Sequence, residues 1–320
     1  MAVTIKDLAR RLNVSTSVVS TVLNGKKYCG VSDELRKKVL AMAEELKCCP
    51  NANARALRCG RSDLIGVMMP VPVIRWYSQF VTYFQQKLQK KGKTALFFFW
   101  NASSSRAEQR AAYDRMIGYG VDGIILWDDF GFRDSPTPTV IYNEELQLDL
   151  DYDRVDVHWD EVIRQALEVA SLRGGKIGMV CCEGDRKLKS IQENSQFALD
   201  MVIYCDGGEK NAGQKIWEKL NSQPNDVWTL FFANVENLLS FSLELFRHAP
   251  DKAKDYTFIN FEGFSEELPD SLNVISCNSH WQELADALID VLMEKCKNPE
   301  LPPIRRDVYP QLVIKNTDGK

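Results

Sequence analysis

Small polar side chains that could contact bases are concentrated in one short segment near the start of the chain. A helix beginning at Thr16 would carry four of them on its outer face at three- and four-residue spacing: Ser17, Ser20, Thr21 and Asn24. Its inner face would be apolar, with Val19, Val22 and Leu23. Hydroxyl and amide groups hydrogen-bond to base edges and phosphates, so this pattern predicts a helix that enters a DNA groove.

Two further helices are predicted around this segment. Thr4 and Asp7 form a variant of the capping box, and apolar residues follow at i, i+3, i+4 and i+7: Ile5, Leu8, Ala9 and Leu12. A tight turn at residues 13–15 then leads into the segment from Thr16. A third helix is predicted from Ser32, with Leu35, Val39, Ala43 and Leu46 buried. Two short helices joined by a tight turn are typical of a helix-turn-helix unit.

Residues 50–61 run from a proline to a glycine and beyond, with too few helix-compatible residues for a stable isolated helix. We predict a hinge that becomes helical only when a partner copy and DNA are present. Leu57 lies within it.

Charge is divided unevenly along the chain. Residues 1–61 contain twelve Lys and Arg against five Asp and Glu, a net charge of +7, whereas the whole chain carries −4. The remainder therefore carries −11. A basic head on an acidic body fits a protein that meets a polyanion at one end only.

Together these residues resemble the lactose-repressor (LacI/GalR) family. The matching pieces are Thr4-Ile5, Asp7-Leu8-Ala9, Val14-Ser15, Val19-Ser20, Val22-Leu23-Asn24, Val31-Ser32, Arg36, Val39, Pro50-Asn51, Ala54 and Leu57. So many fixed offsets over 57 residues make a strong signal. The resemblance implies bacterial transcriptional regulators with a small all-α helix-turn-helix head. It further implies an α/β body of two doubly wound parallel-sheet lobes, like type I periplasmic-binding proteins.

The resemblance also implies residue roles. Base edges would be contacted by Thr16, Ser17 and Thr21, and the DNA backbone by Ser15, Ser20, Asn24 and Asn51. Leu57 would insert into the minor groove, and the predicted DNA contacts also include Thr4, Lys26 and Ala54. In the alternative interpretation, the hydroxyls are solvated helix surface and Leu57 is an ordinary core residue. Thr21 occupies a position that is usually arginine in this family. Because the bidentate contact of arginine with guanine is missing, the operator sequence cannot be inferred from those of relatives.

The body alternates strand-length apolar runs with amphipathic helical segments. Predicted strands are 65–69, 94–99, 123–127, 139–142, 176–181, 228–232, 256–260 and 274–276. Predicted helices are 79–90, 105–117, 160–172, 236–247 and 280–297. Continuous apolar runs are typical of parallel strands covered on both faces. Residues 118–123 match the pattern G-x-G-x-x-G, but they follow a helix and open a strand, so we reject a dinucleotide site.

The family's ligand cleft maps onto seven residues of this chain: Trp76, Tyr77, Trp127, Asp160, Glu193, Asn234 and Glu262. Glu193 falls where the family has an arginine, and Glu262 replaces the more usual aspartate. Such a pocket would repel acidic metabolites and favour sugar hydroxyls or a cation. The alternative is a degenerate pocket in which Glu193 is an exposed helix residue.

Segment composition and the spacing of cysteines and histidines further restrict the class of protein. No apolar run approaches the length needed to cross a bilayer, and the N-terminus lacks a signal-peptide pattern, so we expect a cytoplasmic protein without a membrane partner. Nine cysteines without ligand spacing favour reduced thiols over a zinc or disulfide framework. His158, His248 and His280 lie in separate segments, so no catalytic residue, metal site or cofactor is predicted.

The sequence thus predicts a homodimeric repressor that binds a palindromic operator and responds to a small-molecule effector, a sugar or related metabolite. Its predicted domains are a helix-turn-helix domain at 1–49, a hinge helix and linker at 50–61, and an effector-binding and dimerisation domain at 62–320. Two alternatives stay open: a regulator whose body senses nothing, and an α/β enzyme with an accessory helical segment.

Overall fold

A computed structural model describes residues 3–23, 30–48, 56, 60–71, 74–101, 103–132, 134, 136–144, 151–193, 197–222, 226–264, 268–278 and 280–314. Asn24, Lys26, Asn51, Ala54 and Leu57, with most of the predicted hinge, lie outside these residues. The chain forms two compact units, Met1–Asp63 and Leu64–Lys320, here called the head and the body. The predicted three-part division stays a prediction.

The head contains three helices, α1 (Ile5–Leu12), α2 (Thr16–Leu23) and α3 (Asp33–Glu45). The predicted capping box at Thr4 and Asp7 is confirmed, and Ser32 caps α3 by accepting from the Leu35 amide. Asn13 ends α1 in the left-handed conformation with φ 54°, which asparagine tolerates better than most residues. That conformation makes the sharp turn into α2.

The core of the head is formed where the three helices meet. Its buried side chains come from every helix and the segment after α3: Leu8, Ala9, Val19, Val22, Val39, Ala43 and Cys48. Helices this short are marginal alone, so packing on this core stabilises α2.

The body has two lobes, each built on a six-stranded sheet. Lobe 1 has strand order β11-β5-β4-β3-β1-β2 and is parallel throughout. Its strands are β1 (Leu64–Pro70), β2 (Thr94–Trp100), β3 (Gly123–Leu126), β4 (Thr139–Asn143), β5 (Arg154–Val157) and β11 (Arg305–Val308).

Lobe 2 has strand order β12-β10-β9-β8-β6-β7, and only the β10–β12 pair is antiparallel. Its strands are β6 (Lys176–Cys181), β7 (Met201–Tyr204), β8 (Trp228–Phe232), β9 (Tyr256–Asn260), β10 (Val274–Cys277) and β12 (Leu312–Ile314).

Helices cover the faces of both sheets. They are α4 (Arg75–Lys90), α5 (Arg106–Gly118), α6 (Asp160–Arg173), α7 (Arg186–Glu193), α8 (Ala212–Asn221), α9 (Val235–His248) and α10 (Trp281–Lys297), with a 3₁₀ turn at Pro250–Asp255. One buried cluster includes Val67 of lobe 1 and Phe231 of lobe 2, so a continuous apolar core crosses the body. Residues 118–123 join the end of α5 to the start of β3, which confirms the predicted helix-to-strand context of this segment.

The chain crosses between the lobes three times: after β5, after β10 and after β11. The first and third crossings are joined by His158, which bonds Asp307 at 2.5 Å and stacks on Tyr309. The second and third are joined by two bonds between Asn278 and Gln311. Three adjacent connections form a hinge about which two lobes can close.

Candidate nucleic-acid interface and ligand cavity

The first turn of α2 presents polar side chains to solvent. Ser15, Thr16 and Ser17 are exposed, and the Ser15 hydroxyl accepts from the Val18 amide at 3.3 Å, which caps the helix. Thr4 is also exposed, and its hydroxyl donates to Asp7 at 2.7 Å. This turn has the placement that base contacts require, since recognition helices reach bases with their N-terminal residues.

One residue of the predicted outer face lies elsewhere. Ser20 is only 6% exposed, so its predicted place on the outer, polar face is wrong. The helix is short and packs against both α1 and α3, which leaves a narrower free surface than the spacing alone suggested. Thr21 is half-buried at the edge of that surface.

In the body, a cavity of about 290 Å³ lies between the two lobes. Lobe 1 contributes Pro70, Trp76, Tyr77, Trp100, Trp127, Asp128, Tyr142 and Glu144. Lobe 2 contributes Cys182, Gly184, Asp185, Arg186, Lys187, Phe261 and Glu262, and the crossings contribute Trp159 and His280. A concave site with aromatic walls and a few convergent polar groups is characteristic of small-molecule binding.

The aromatic wall is centred on Trp127. Its ring lies 5.9 Å from that of Trp76, 5.8 Å from Tyr77 and 4.5 Å from Tyr142, between ring centroids. The contacts with Trp76 and Tyr77 are edge-to-face, a favourable geometry for aromatic pairs. The wall is therefore rigid and offers flat apolar surface to a ligand.

Glu144 supplies a fixed negative charge to this wall. Its carboxylate accepts from the Tyr142 hydroxyl and from the Trp159 indole, the latter at 3.2 Å. Burial opposes its ionisation, but Lys187 and these hydrogen bonds together hold the pKa of Glu144 below its ordinary value. Glu144 is therefore ionised at neutral pH.

Glu262 behaves in the opposite way. Its carboxylate accepts from the Val235 amide at 3.0 Å, and burial, followed by the nearby Glu236, raises its pKa to about 8. Burial and, to a smaller extent, Lys187 lower the pKa of His280 to about 4. At neutral pH the cavity thus holds a protonated carboxyl and an uncharged imidazole.

Several contacts join the lobes around the cavity. Asp128 of lobe 1 pairs with Arg186 of lobe 2 at 3.2 Å, and the Arg75 amide donates to Glu236 at 2.5 Å. A Cβ at Gly207 of lobe 2 would overlap the Ile74 side chain of lobe 1, so a larger residue there would require Ile74 to move. The lobes are therefore in direct contact around the cavity.

Of the seven cleft residues predicted from the sequence, four line the cavity: Trp76, Tyr77, Trp127 and Glu262. Three do not. Glu193 is exposed at the last position of α7, roughly 10 Å along the helix from the cavity-lining residues at its start. Asp160 is exposed and accepts from Ser190, and Asn234 is turned to cap α9 by accepting from the Asn237 amide.

The predicted acidic pocket is therefore wrong for two of its three carboxylates: Glu262 lines the cavity, but Asp160 and Glu193 do not. The acids present are Asp128, Glu144, Asp185 and Glu262, and they are accompanied by Arg186 and Lys187.

The sequence contained a signal for the cavity-lining residues that the prediction missed. Asp128 follows β3, Glu144 follows β4, and Asp185 to Lys187 follow β6. Ligands of doubly wound sheets bind outside the carboxyl ends of the strands. Polar residues directly after each predicted strand were thus the better candidates.

The described residues contain no group of three or more His, Cys, Asp or Glu that could hold a metal ion. No helix among them combines the length and apolar character needed to span a bilayer. The described cysteines, Cys48, Cys181, Cys182, Cys205, Cys277 and Cys296, are free thiols.

A three-helix head followed by a two-lobed α/β body with a cavity between its lobes defines an architecture found in bacterial repressors. Residues 4–51 match the family described as bacterial regulatory proteins, lacI family. The chain therefore carries a LacI-family helix-turn-helix domain, and the resemblance found in the sequence is confirmed.

Curated relatives extend the likeness over most of the chain. It is 23% identical to the HTH-type transcriptional repressor PurR of Escherichia coli O139:H28, over 97% of this chain and 95% of that protein. It is 25% identical to the probable HTH-type transcriptional repressor ExuR of Bacillus subtilis, over 85% of this chain and 86% of that protein.

Solved structures confirm the fold class. The lac repressor dimer bound to operator and the anti-inducer ONPF superimposes with a TM-score of 0.80 at 18% identity, covering 98% of both chains. The regulator CelR in complex with cellobiose has a TM-score of 0.65 at 18% identity, also covering 98% of both.

Proposed function

We propose that this protein is a sequence-specific transcriptional repressor that binds a palindromic operator as a homodimer and is modulated by a small molecule bound between its lobes. The observation that carries the proposal is the exposed first turn of α2, with Ser15, Thr16 and Ser17, on a folded LacI-family domain. The relatives named repressors, and the lac repressor dimer bound to operator, support it.

Dimerisation is expected because the surface of one head that contacts DNA is small. One short helix contacts few base pairs, whereas two heads related by a two-fold axis read two half-sites at once. Lys26, Asn51, Ala54 and Leu57 are proposed to complete the DNA contacts. The net charge of +7 in residues 1–61 supplies the attraction to phosphates.

Modulation is proposed to work through the three crossings. A ligand held by both lobes would favour one inter-lobe arrangement, and that preference would reach the heads through the segment at 50–61. The aromatic and charged side chains that line the cavity favour a body that binds a ligand over the alternative of a body that senses nothing.

The test begins with selection of bound sequences from a random duplex library by the purified full-length protein. The enriched duplex is then titrated over a salt series. We expect an inverted repeat, and a log–log slope of about −0.9 per phosphate contacted.

The matched control is the double variant Thr16→Ala/Ser17→Ala, which removes two exposed hydroxyls and the Thr16 methyl group. It should keep the salt slope while losing preference for the enriched duplex. Equal binding of every duplex by the unaltered protein would contradict the proposal.

A further inference from the structure

The imidazole of His280 is buried in the second crossing. His280 precedes α10, is 2% exposed and lines the cavity. Its ring lies 5.0 Å from that of Trp159 and 5.6 Å from that of Trp76. The backbone carbonyl of Asn278 slightly favours its protonated form, yet neither ring nitrogen has a partner with hydrogen-bond geometry in the described structure.

This arrangement is unfavourable for a residue whose role is only structural. Burial and Lys187 keep His280 uncharged near neutral pH, so the ring has one N–H donor and one acceptor nitrogen. Buried polar groups are nearly always paired, and an unpaired one indicates a missing partner. Because the ring borders the cavity, a bound molecule can supply that partner.

Lys187 provides a second, independent observation. Its ammonium lies 4.5 Å from the centroid of the Trp159 ring. Burial opposes its charged form, but Asp185 and Glu144 outweigh burial and raise its pKa above the ordinary value, so it is charged. Among the described residues, none hydrogen-bonds or pairs with this ammonium within 4.0 Å. Its donors are therefore available to the cavity.

The acidic side chains around the cavity, by contrast, already have partners. Asp128 pairs with Arg186, and Glu144 accepts from Tyr142 and Trp159. Asp185 accepts from the Lys187 amide at 2.9 Å, and Glu262 accepts from the Val235 amide. A cationic ligand would thus be repelled by the charge of Lys187 and would find acidic groups that already have partners. An anionic ligand would be repelled by several acidic side chains.

We propose that His280 and Lys187 are the specificity-determining residues of this cavity, and that together they hydrogen-bond one small uncharged ligand through its hydroxyl or carbonyl oxygens. The cavity volume of about 290 Å³ fits a single ring better than an oligomer. This inference rests on the proposed function, because it assigns the recognition chemistry of the same inter-lobe site.

The first test needs no ligand. His280→Phe keeps a planar ring between the two tryptophans and removes the unpaired nitrogens. We expect the Tm of the ligand-free protein to rise by about 2–4 °C. The matched control is His158→Phe, at the first crossing, which removes a partnered imidazole bonded to Asp307 and should lower Tm. A loss of Tm in His280→Phe equal to that in His158→Phe would overturn the assignment.

The second test compares ligands that share a ring and differ in charge. Calorimetry is performed with glucose, glucosamine and glucuronate, and with galactose, galactosamine and galacturonate. We expect a neutral member of one series to bind at least about tenfold more tightly than its charged counterparts. His280→Phe and Lys187→Gln should each weaken that binding by about tenfold or more, the value of one good hydrogen bond.

Tighter binding of a charged member, no binding by either neutral sugar, or unchanged affinity in both variants would each overturn the inference. If the unaltered protein itself binds no duplex selectively, the proposed function fails, whatever the sugars do. The two failures are therefore distinguishable.

Discussion

The head and the cavity place their candidate functional side chains in opposite ways. In the head, Ser15, Thr16 and Ser17 are consecutive and stand in solvent at the start of one helix. In the cavity, the lining residues run from Pro70 to His280 and come from both lobes and two crossings. A local surface can be inferred from periodicity, whereas a cavity formed by distant segments requires the topology. The two regions should also respond differently to pH and to substitution.

The largest expected effect is a pH dependence confined to the body. Glu262 has a folded-state pKa of about 8 against an ordinary 4.5. Its contribution to stability is therefore fully present below about pH 4.5 and is lost as pH rises through 8. That loss is up to about 5 kcal/mol at about 1.4 kcal/mol per pKa unit. Glu262→Gln should flatten the fall in Tm between pH 5 and 9, measured by calorimetry.

The control for this experiment is Glu193→Gln, the same change at an exposed site. It should follow the curve of the unaltered protein. Parallel curves for Glu262→Gln and the unaltered protein would show that this carboxyl is already ionised in the folded state.

Removing the centre of the aromatic wall should affect the body alone. Trp127 is 5% exposed and contacts three other rings of the cavity. Trp127→Ala should destabilise the body by about 3–5 kcal/mol, the usual range for a buried aromatic. Denaturant unfolding measures this, with Trp217→Ala, a half-buried tryptophan stacked on His248, as the milder control. An equal effect of the two substitutions would contradict the central place of Trp127.

The head has its own core, and damage there should leave the body intact. Leu8 is fully buried among the three helices. Leu8→Ala should destabilise the head by about 2–5 kcal/mol and abolish DNA binding. Leu40→Ala, at a leucine of α3 that is 47% exposed, should do neither. Fluorescence anisotropy reports DNA binding, and the body's unfolding transition should stay unchanged in both variants.

The smallest expected effect is on recognition itself. Thr16→Ala/Ser17→Ala should weaken binding to the enriched duplex by about 1–3 kcal/mol without changing Tm, because both side chains are exposed. Thr82→Ala, an exposed threonine of the body, is the control. A fall in Tm with the double variant would indicate that these hydroxyls stabilise the head and do not read DNA.

Most elements of the body could be predicted because their apolar runs are long. Strands β6, β8 and β9 have the predicted bounds, and all the helices predicted for the body are present. The missed strands are short or interrupted by charge. In β5, Arg154 and Asp156 pair with each other at 3.0 Å, so both are buried in a strand that the sequence presents as polar.

The errors at the candidate sites have a common cause. Asp160 begins a predicted helix and Glu193 ends α7, a helix that was not predicted; both face solvent, and Asn234 is used to cap its own helix. Ser20 has helical spacing with the outer face, yet packing on two sides buries it. Periodicity orders residues around a helix, but neighbouring elements decide which of them stay accessible.

The sequence by itself determined the helix-turn-helix head, its capping residues and the α/β class of the body, because these depend on hydrogen bonds and apolar patterns within a few turns of chain. Only the tertiary structure decided the chemistry of the cavity, where Glu144, Lys187 and His280 come together from three segments. Their charges and missing partners arise from mutual burial, which no local pattern of residues encodes.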